Sequence, residues 1–328
     1  MGLSAVPPID MMFHMRADKV TIGSWSGPTR DYLGYGADVP QVEWPGGARV
    51  AVSIIINWEE GSELSFWHGD KANPQGLLET PASTGPEIRD LGAESTFEYG
   101  SRAGVWRLAR LVDEYALPVT LFTTGLALLR NQDFAAWVRE RGHEPAGHGL
   151  RWDRMYEFTE DEEREQIRLT VAAIEEACGT RPRGWYSRYS ASVNTRRLLV
   201  EEGGFIYDSD AYNDDLPYYQ KVGDRNQLVL PYSLTHNDGR FATSPGYPDP
   251  SSFADHLIRA FDELWGEGET RPRMMSIGLH PRVIGQPARL SALRQFVEHC
   301  LAKGDVWFCR RLDVAEHWLS NHPARAES

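Results

Sequence analysis

The residues that could do chemistry gather in a few short stretches. His148-Gly149-Leu150-Arg151-Trp152 has the spacing of a His-x-x-x-His pair, which would bring two imidazoles onto one metal ion, but Trp152 takes the second place. Asn57-Trp58-Glu59-Glu60-Gly61 offers two carboxylates beside an amide. Thr235-His236-Asn237-Asp238 and Leu279-His280-Pro281-Arg282 add imidazoles, a carboxylate and a guanidinium, and Ser187-Arg188-Tyr189-Ser190 a second guanidinium. Carboxylates and imidazoles can take a proton from water and return one to a leaving group. A guanidinium fork suits planar oxygen acceptors. Each group also has a plainer reading. A lone acid is most often a solvated loop residue, and a lone histidine a satisfied core residue. Asp214-Asp215 before Leu216-Pro217 reads as a turn former. His14, His68, His299 and His317 lie away from these stretches and read as structural.

The elements that must position these groups alternate along the chain. Apolar, β-branched runs predict strands at Arg49–Asn57, Pro118–Thr124, Glu144–His148, Gly184–Tyr189, Phe205–Asp208, Gln227–Tyr232, Met274–His280 and Val306–Cys309. Between them, helical spacing marks 100–115, 134–141, 159–178, 194–202, 252–266, 290–303 and 313–320. Thr159 with Glu162 three residues later is a capping-box signature, and Gly179 is a stop. The alternation predicts an α/β fold, a distorted (β/α) barrel of about seven parallel strands. In such barrels chemistry sits at the C-terminal strand ends, where the stretches above fall. One domain is expected over 1–328, with an N-terminal extension over 1–45 and a long loop over 61–98, read as a lid or interface element.

Bulk properties narrow the partners. A net charge of −13 argues against nucleic acid and anionic membranes. No apolar run is long enough to span a bilayer. The first 25 residues lack the basic start and apolar core of an export signal. Three widely spaced cysteines suit a reducing cytoplasm better than a disulfide framework. No Gly-rich phosphate loop is present.

On these residues the chain resembles the polysaccharide deacetylase (NodB-homology) superfamily. The stretch Gly142-His143-Glu144 to His148 is similar to that family's second motif. Within the superfamily it looks like the allantoinase-like, urate-catabolism and cyclic imide hydrolase branch. The runs that carry this are Arg30–Gly36, Trp44–Arg49, Asn57–Gly61, Glu98–Arg107, Asn194–Leu198, Asp214–Tyr218, Asn237-Asp238, Leu279-His280 with Arg282, and Cys309–Arg311. The resemblance implies the barrel fold, a cytoplasmic hydrolase of purine catabolism, and a homo-oligomer, tetramer or dimer. It also implies a machinery in which Asn57 stands at the usual catalytic acid, Glu59 at or near a metal ligand, His148 at the first metal histidine and Trp152 at the second. Pro281 after His280 and the segment 187–191 depart from the branch.

Three functions follow. The first is ring-opening hydrolysis of a small cyclic amide (allantoin, hydantoin or a cyclic imide), with no cofactor required. Glu59 is then the expected general base and Glu60 its alternate, while His148 and His280 are acid or oxyanion-stabilising groups. Arg188 and Arg282 would hold oxygens, Asn57, Asn237 and Asp238 would meet the ring's polar edge, and Trp58, Trp152 and Tyr189 would form flat walls. The second is a metal-dependent N-acetyl-sugar deacetylase, with one divalent ion such as zinc on Glu59, His148 and His236. The third is a non-catalytic protein that binds a ring compound.

Overall fold

Strand β1 (Val50–Trp58) is buried along its whole length, and its two faces go to different cores. Even-numbered residues from Val50 to Trp58 pack outward against the helices in the main apolar cluster. Ile55 points the other way, into a small cluster with Phe122, Ala146, Tyr186 and Tyr232. That period of two makes β1 the wall between a helix layer and an interior.

The computed structural model describes residues 27–324 except 75, 80–83 and 86. Among the described residues, Tyr32 onward forms one contact unit. The strands that follow β1 are β2 (Val119–Thr123), β3 (Glu144–Gly147), β4 (Gly184–Trp185), β5 (Tyr207–Asp208), β6 (Tyr218–Val222), β7 (Arg225–Val229), β8 (Arg273–Leu279) and β9 (Val306–Phe308). They form one sheet in the order β6-β7-β5-β4-β3-β2-β1-β8, with β9 also on β1. Among the described residues every strand pair is parallel except the hairpin β6–β7. A single parallel bridge from Asn237 to Gly278 extends the sheet past β8. The result is the expected α/β architecture, a curled half-barrel of mostly parallel strands.

Differences from the expected elements have local causes. The run Gly184–Tyr189 pairs only at its start: the Tyr186 amide still donates to the Gly147 carbonyl at 2.9 Å, but the Ser187 amide donates to Asp210 Oδ1 at 2.7 Å. A carboxylate has replaced the ladder partner there. β6 was not expected because Tyr218–Val222 is half-exposed and mixed in polarity. The loop expected over 61–98 is shorter, since Leu91–Tyr99 is a helix capped by Asp90, whose Oδ1 accepts from the Ala93 amide at 2.9 Å. It continues through a π turn, Gly100–Gly104, into the helix Val105–Glu114. The capping box at Thr159 and the left-handed Gly179 bound the helix Glu160–Cys178 as predicted. Of the extension 1–45, residues 1–26 lie outside the described residues; Val42 and Trp44 are buried, and Trp44 Nε1 donates to the Arg273 carbonyl at 2.9 Å. No described helix is long and apolar enough to cross a membrane.

Candidate active site

The ladder delivers the polar groups to one end of the sheet. The His148 amide donates to the Thr123 carbonyl at 3.0 Å, so His148 leaves β3 beside the end of β2. The Trp152 amide donates to the Ser62 carbonyl at 3.2 Å, which ties the segment after β3 to the loop after β1. His280 follows β8 directly, and Asp238 opens the short helix Asp238–Ala242. A cavity of about 420 Å³ lies among these ends. Asn57, Glu59, His148 and His280 form its floor, each no more than 4% exposed. Trp152, Arg188, Tyr189 and Asn237 stand around them.

Glu59 sits at the centre. Its Oε2 accepts from Arg282 Nη2 at 2.7 Å, while Oε1 faces His148 Nε2 at 3.4 Å and His280 Nε2 at 3.6 Å. Burial pushes this carboxyl up, but Arg282, His280 and the imidazole hydrogen bonds outweigh it and hold the group well below the ordinary carboxylate range. Glu59 is therefore ionised at neutral pH.

The two imidazoles are fixed from behind. His148 Nδ1 lies 2.6 Å from the Tyr186 carbonyl, which can only accept, so Nδ1 carries the hydrogen and Nε2 is the atom that faces Glu59. His280 Nδ1 donates to Asp238 Oδ1 at 2.6 Å, and its Nε2 also faces Glu59. Burial pushes His280 down, but Asp238 and Glu59 push it up further, to about 9. His280 is thus an imidazolium at neutral pH.

Several expected residues have different places. Trp58 is not a cavity wall: it is fully buried on the helix side, 4.5 Å centroid to centroid from Phe134. Glu60 does not line the cavity. Its Oε1 accepts from Arg282 Nη1 and from the Arg282 amide, both at 3.2 Å, beneath the site. Burial, the larger effect, raises its pKa against the pull of Arg282. Arg282 itself is buried between these two acids, with Cζ 4.3 Å from the Phe97 ring centroid, so it holds Glu59 and Glu60 and is not among the residues that line the cavity. Asp238 is fully buried behind His280, out of reach of the ring. Asn57 and Asn237 do line the cavity, and both amides donate to the Tyr232 hydroxyl, at 3.3 and 3.1 Å.

His236 lines a different cavity, of about 530 Å³, beside His256 at 5.4 Å between centroids. The set Glu59, His148 and His236 is therefore not assembled. Arg282 already occupies the second oxygen of Glu59, and Trp152 stands four residues after His148 with the Arg188 guanidinium 3.7 Å from its ring centroid. Among the described residues no three carboxylate, imidazole or thiolate side chains are placed to hold an ion. The donor set does not fit the divalent metal that the family implies.

Sequence reasoning missed Tyr186, Leu77 and Leu234, which also line the cavity. Alternation gave a signal for Tyr186, two residues before Arg188 on the same side of the chain. Leu77 lies in the long loop, where no period applies.

Comparison with known proteins fits this frame. A family model described as "Polysaccharide deacetylase" matches residues 92–207. A Schizosaccharomyces pombe protein named "Putative polysaccharide deacetylase" is 36% identical over 91% of this chain and 99% of its own. A crystal structure of a "probable Polysaccharide deacetylase" from Pseudomonas aeruginosa PAO1 matches with a TM-score of 0.87 and 43% identity, covering 91% of this chain and all of that one. A crystal structure of "Puue Allantoinase" is similar at the same TM-score of 0.87 and 43% identity, over 91% of this chain and 99% of its own. The chain belongs to the polysaccharide deacetylase family.

Proposed function

We propose that this protein is a hydrolase that opens a small cyclic amide, such as allantoin, a hydantoin or a cyclic imide, at a C–N bond. One observation carries the reading: Arg282 holds the one carboxylate that lines the cavity among the described residues, and Trp152 stands where the resemblance implies a second metal histidine. The likeness to the allantoinase structure supports it, although relatives named as polysaccharide deacetylases are equally similar.

In this mechanism water attacks the ring carbonyl and gives its proton to Glu59 Oε1. Arg282 on Oε2 keeps the carboxylate ionised and turned into the cavity. The tetrahedral oxyanion develops within reach of the imidazoles, and His280 gives a proton to the nitrogen as the C–N bond breaks. Asp238 stabilises the imidazolium until that transfer. The proton on Glu59 then returns to His280 through solvent, and a carboxylic acid and a free amide or ureide remain. Asn57 and Asn237 supply amide edges for the ring's polar atoms.

The test is hydrolysis of allantoin, hydantoin, dihydrouracil, succinimide and chitobiose, each with and without chelator, by the natural protein and by Glu59→Gln. Ring opening that resists the chelator and falls by roughly 10²–10⁴ in Glu59→Gln is expected. Chelator-sensitive release of acetate from the sugar alone would replace this reading with the metal-dependent deacetylase. Tight ring binding without turnover would leave the non-catalytic one.

A further inference from the structure

The cavity has two chemically distinct ends. Its floor is polar and closed. Its mouth carries Leu77, Tyr189 and Leu234, with Tyr186 and Trp152 along the wall. Tyr189 is 63% exposed and Leu234 40%, although both line the opening. Tyr212, also 40% exposed, lies 5.9 Å from Tyr189 between centroids and continues the apolar rim. Single exposed apolar side chains need no explanation, but several around one opening mark a ligand surface.

Size points the same way. At roughly 30 Å³ per liquid water, the cavity holds on the order of a dozen waters. A bare hydantoin or succinimide ring displaces only part of that volume. With its polar atoms on the floor, the rest of the space lies against the apolar mouth. The cations near the mouth are already engaged: Arg188 lies over the Trp152 indole with Nη1 on the Trp152 carbonyl at 2.6 Å, and Arg240 lies 5.7 Å from the Tyr247 ring centroid.

We infer that the preferred substrates are cyclic amides carrying a flat apolar substituent on the saturated ring carbon beside the attacked carbonyl, seated against Leu77, Tyr189 and Leu234. The inference rests on the cyclic-amide reading of the site and adds to it the part of the substrate that sets affinity.

Calorimetry on the full chain carrying Glu59→Gln, which slows turnover by roughly 10²–10⁴, tests it with hydantoin, 5-benzylhydantoin and 5-carboxymethylhydantoin. The benzyl compound is expected to bind at least about tenfold tighter than hydantoin, since each buried methylene adds about fourfold. Adding Leu234→Ala should cut that preference several-fold and leave hydantoin unchanged; the side chain is exposed enough that the fold should survive. Equal affinity for the benzyl and parent rings, no binding of the benzyl ring, or tightest binding of the carboxymethyl ring would overturn it. Turnover by the natural protein is scored separately. A benzyl preference in binding with no ring opened would remove the hydrolase reading and leave the apolar subsite standing.

Discussion

Asp238 holds His280 twice: Oδ1 accepts from the imidazole Nδ1 at 2.6 Å, and Oδ2 accepts from the His280 amide at 2.8 Å. The pair fixes both the direction of the ring and its charge. If His280 is the proton donor, kcat/KM should fall as pH rises through about 9, where the imidazolium is lost. Asp238→Asn removes an anion that raises this pKa, so the alkaline limb should move to lower pH. A pH–rate profile of both proteins checks this; a limb that stays in place would take the proton-donor role from His280. The linked stability has the same sign. A raised pKa stabilises the fold fully below about 6.5, and that contribution is lost as pH rises through about 9.

Arg282 places its guanidinium between Glu59 and Glu60, and all three side chains are buried. Arg282→Met should lower unfolding stability by about 3–5 kcal/mol, because two buried acids lose their cation. Denaturant midpoints measure this. Glu59 has a depressed pKa, so its contribution is present above the ordinary carboxylate range and is lost as pH falls through the folded value. In the variant, burial without the guanidinium raises both carboxyls, so its deficit relative to the natural protein should be largest at neutral pH and shrink on acid titration.

Replacing Trp152 with His restores the spacing of a metal pair without restoring a metal site. Trp152→His should take up no stoichiometric zinc, because Arg282 still holds Glu59 Oε2. Elemental analysis after zinc loading reads this directly. One zinc per chain in the variant would mean that the guanidinium does not exclude the ion.

Gly278 faces the Tyr232 hydroxyl so closely that any Cβ would run into it. That hydroxyl joins Asn57 to Asn237 across the cavity floor. Gly278→Ala should cost about 1–3 kcal/mol of stability, typical of an overpacked core. It should also raise KM more than it lowers kcat, since the ring's amide contacts are displaced while Glu59 and His280 stay. Thermal unfolding and steady-state kinetics on an accepted ring measure the two effects.

Much of this arrangement was legible in the residues. The strand-forming runs are so apolar that β1, β2 and β8 lie within a residue or two of their expected bounds. The rule that chemistry sits at strand ends also picks out Glu59, His148 and His280 from the sequence. Trp58 was misplaced although alternation was available: if Asn57 and Glu59 face inward, the residue between them faces the helices. Glu60 posed a different problem. Its partner, Arg282, lies far along the chain, and no local pattern announces a buried cation shared by two acids. His236 failed for a similar reason, since a one-residue difference in the path before Asn237 decides which cavity an imidazole enters.

Glu59 and Glu60 are neighbours in sequence but serve opposite sides of one wall: one faces the cavity, and the other presses against Gly100, where even a methyl group would come within 2.5 Å of Oε1. The two are chemically identical, so their roles are set by count alone. Loss of one codon within β1 would put Glu60 where Glu59 stands and send Glu59 to the helix side, into the buried place of Trp58 beside Phe134. Point substitutions leave that count intact; a change in the length of β1 does not.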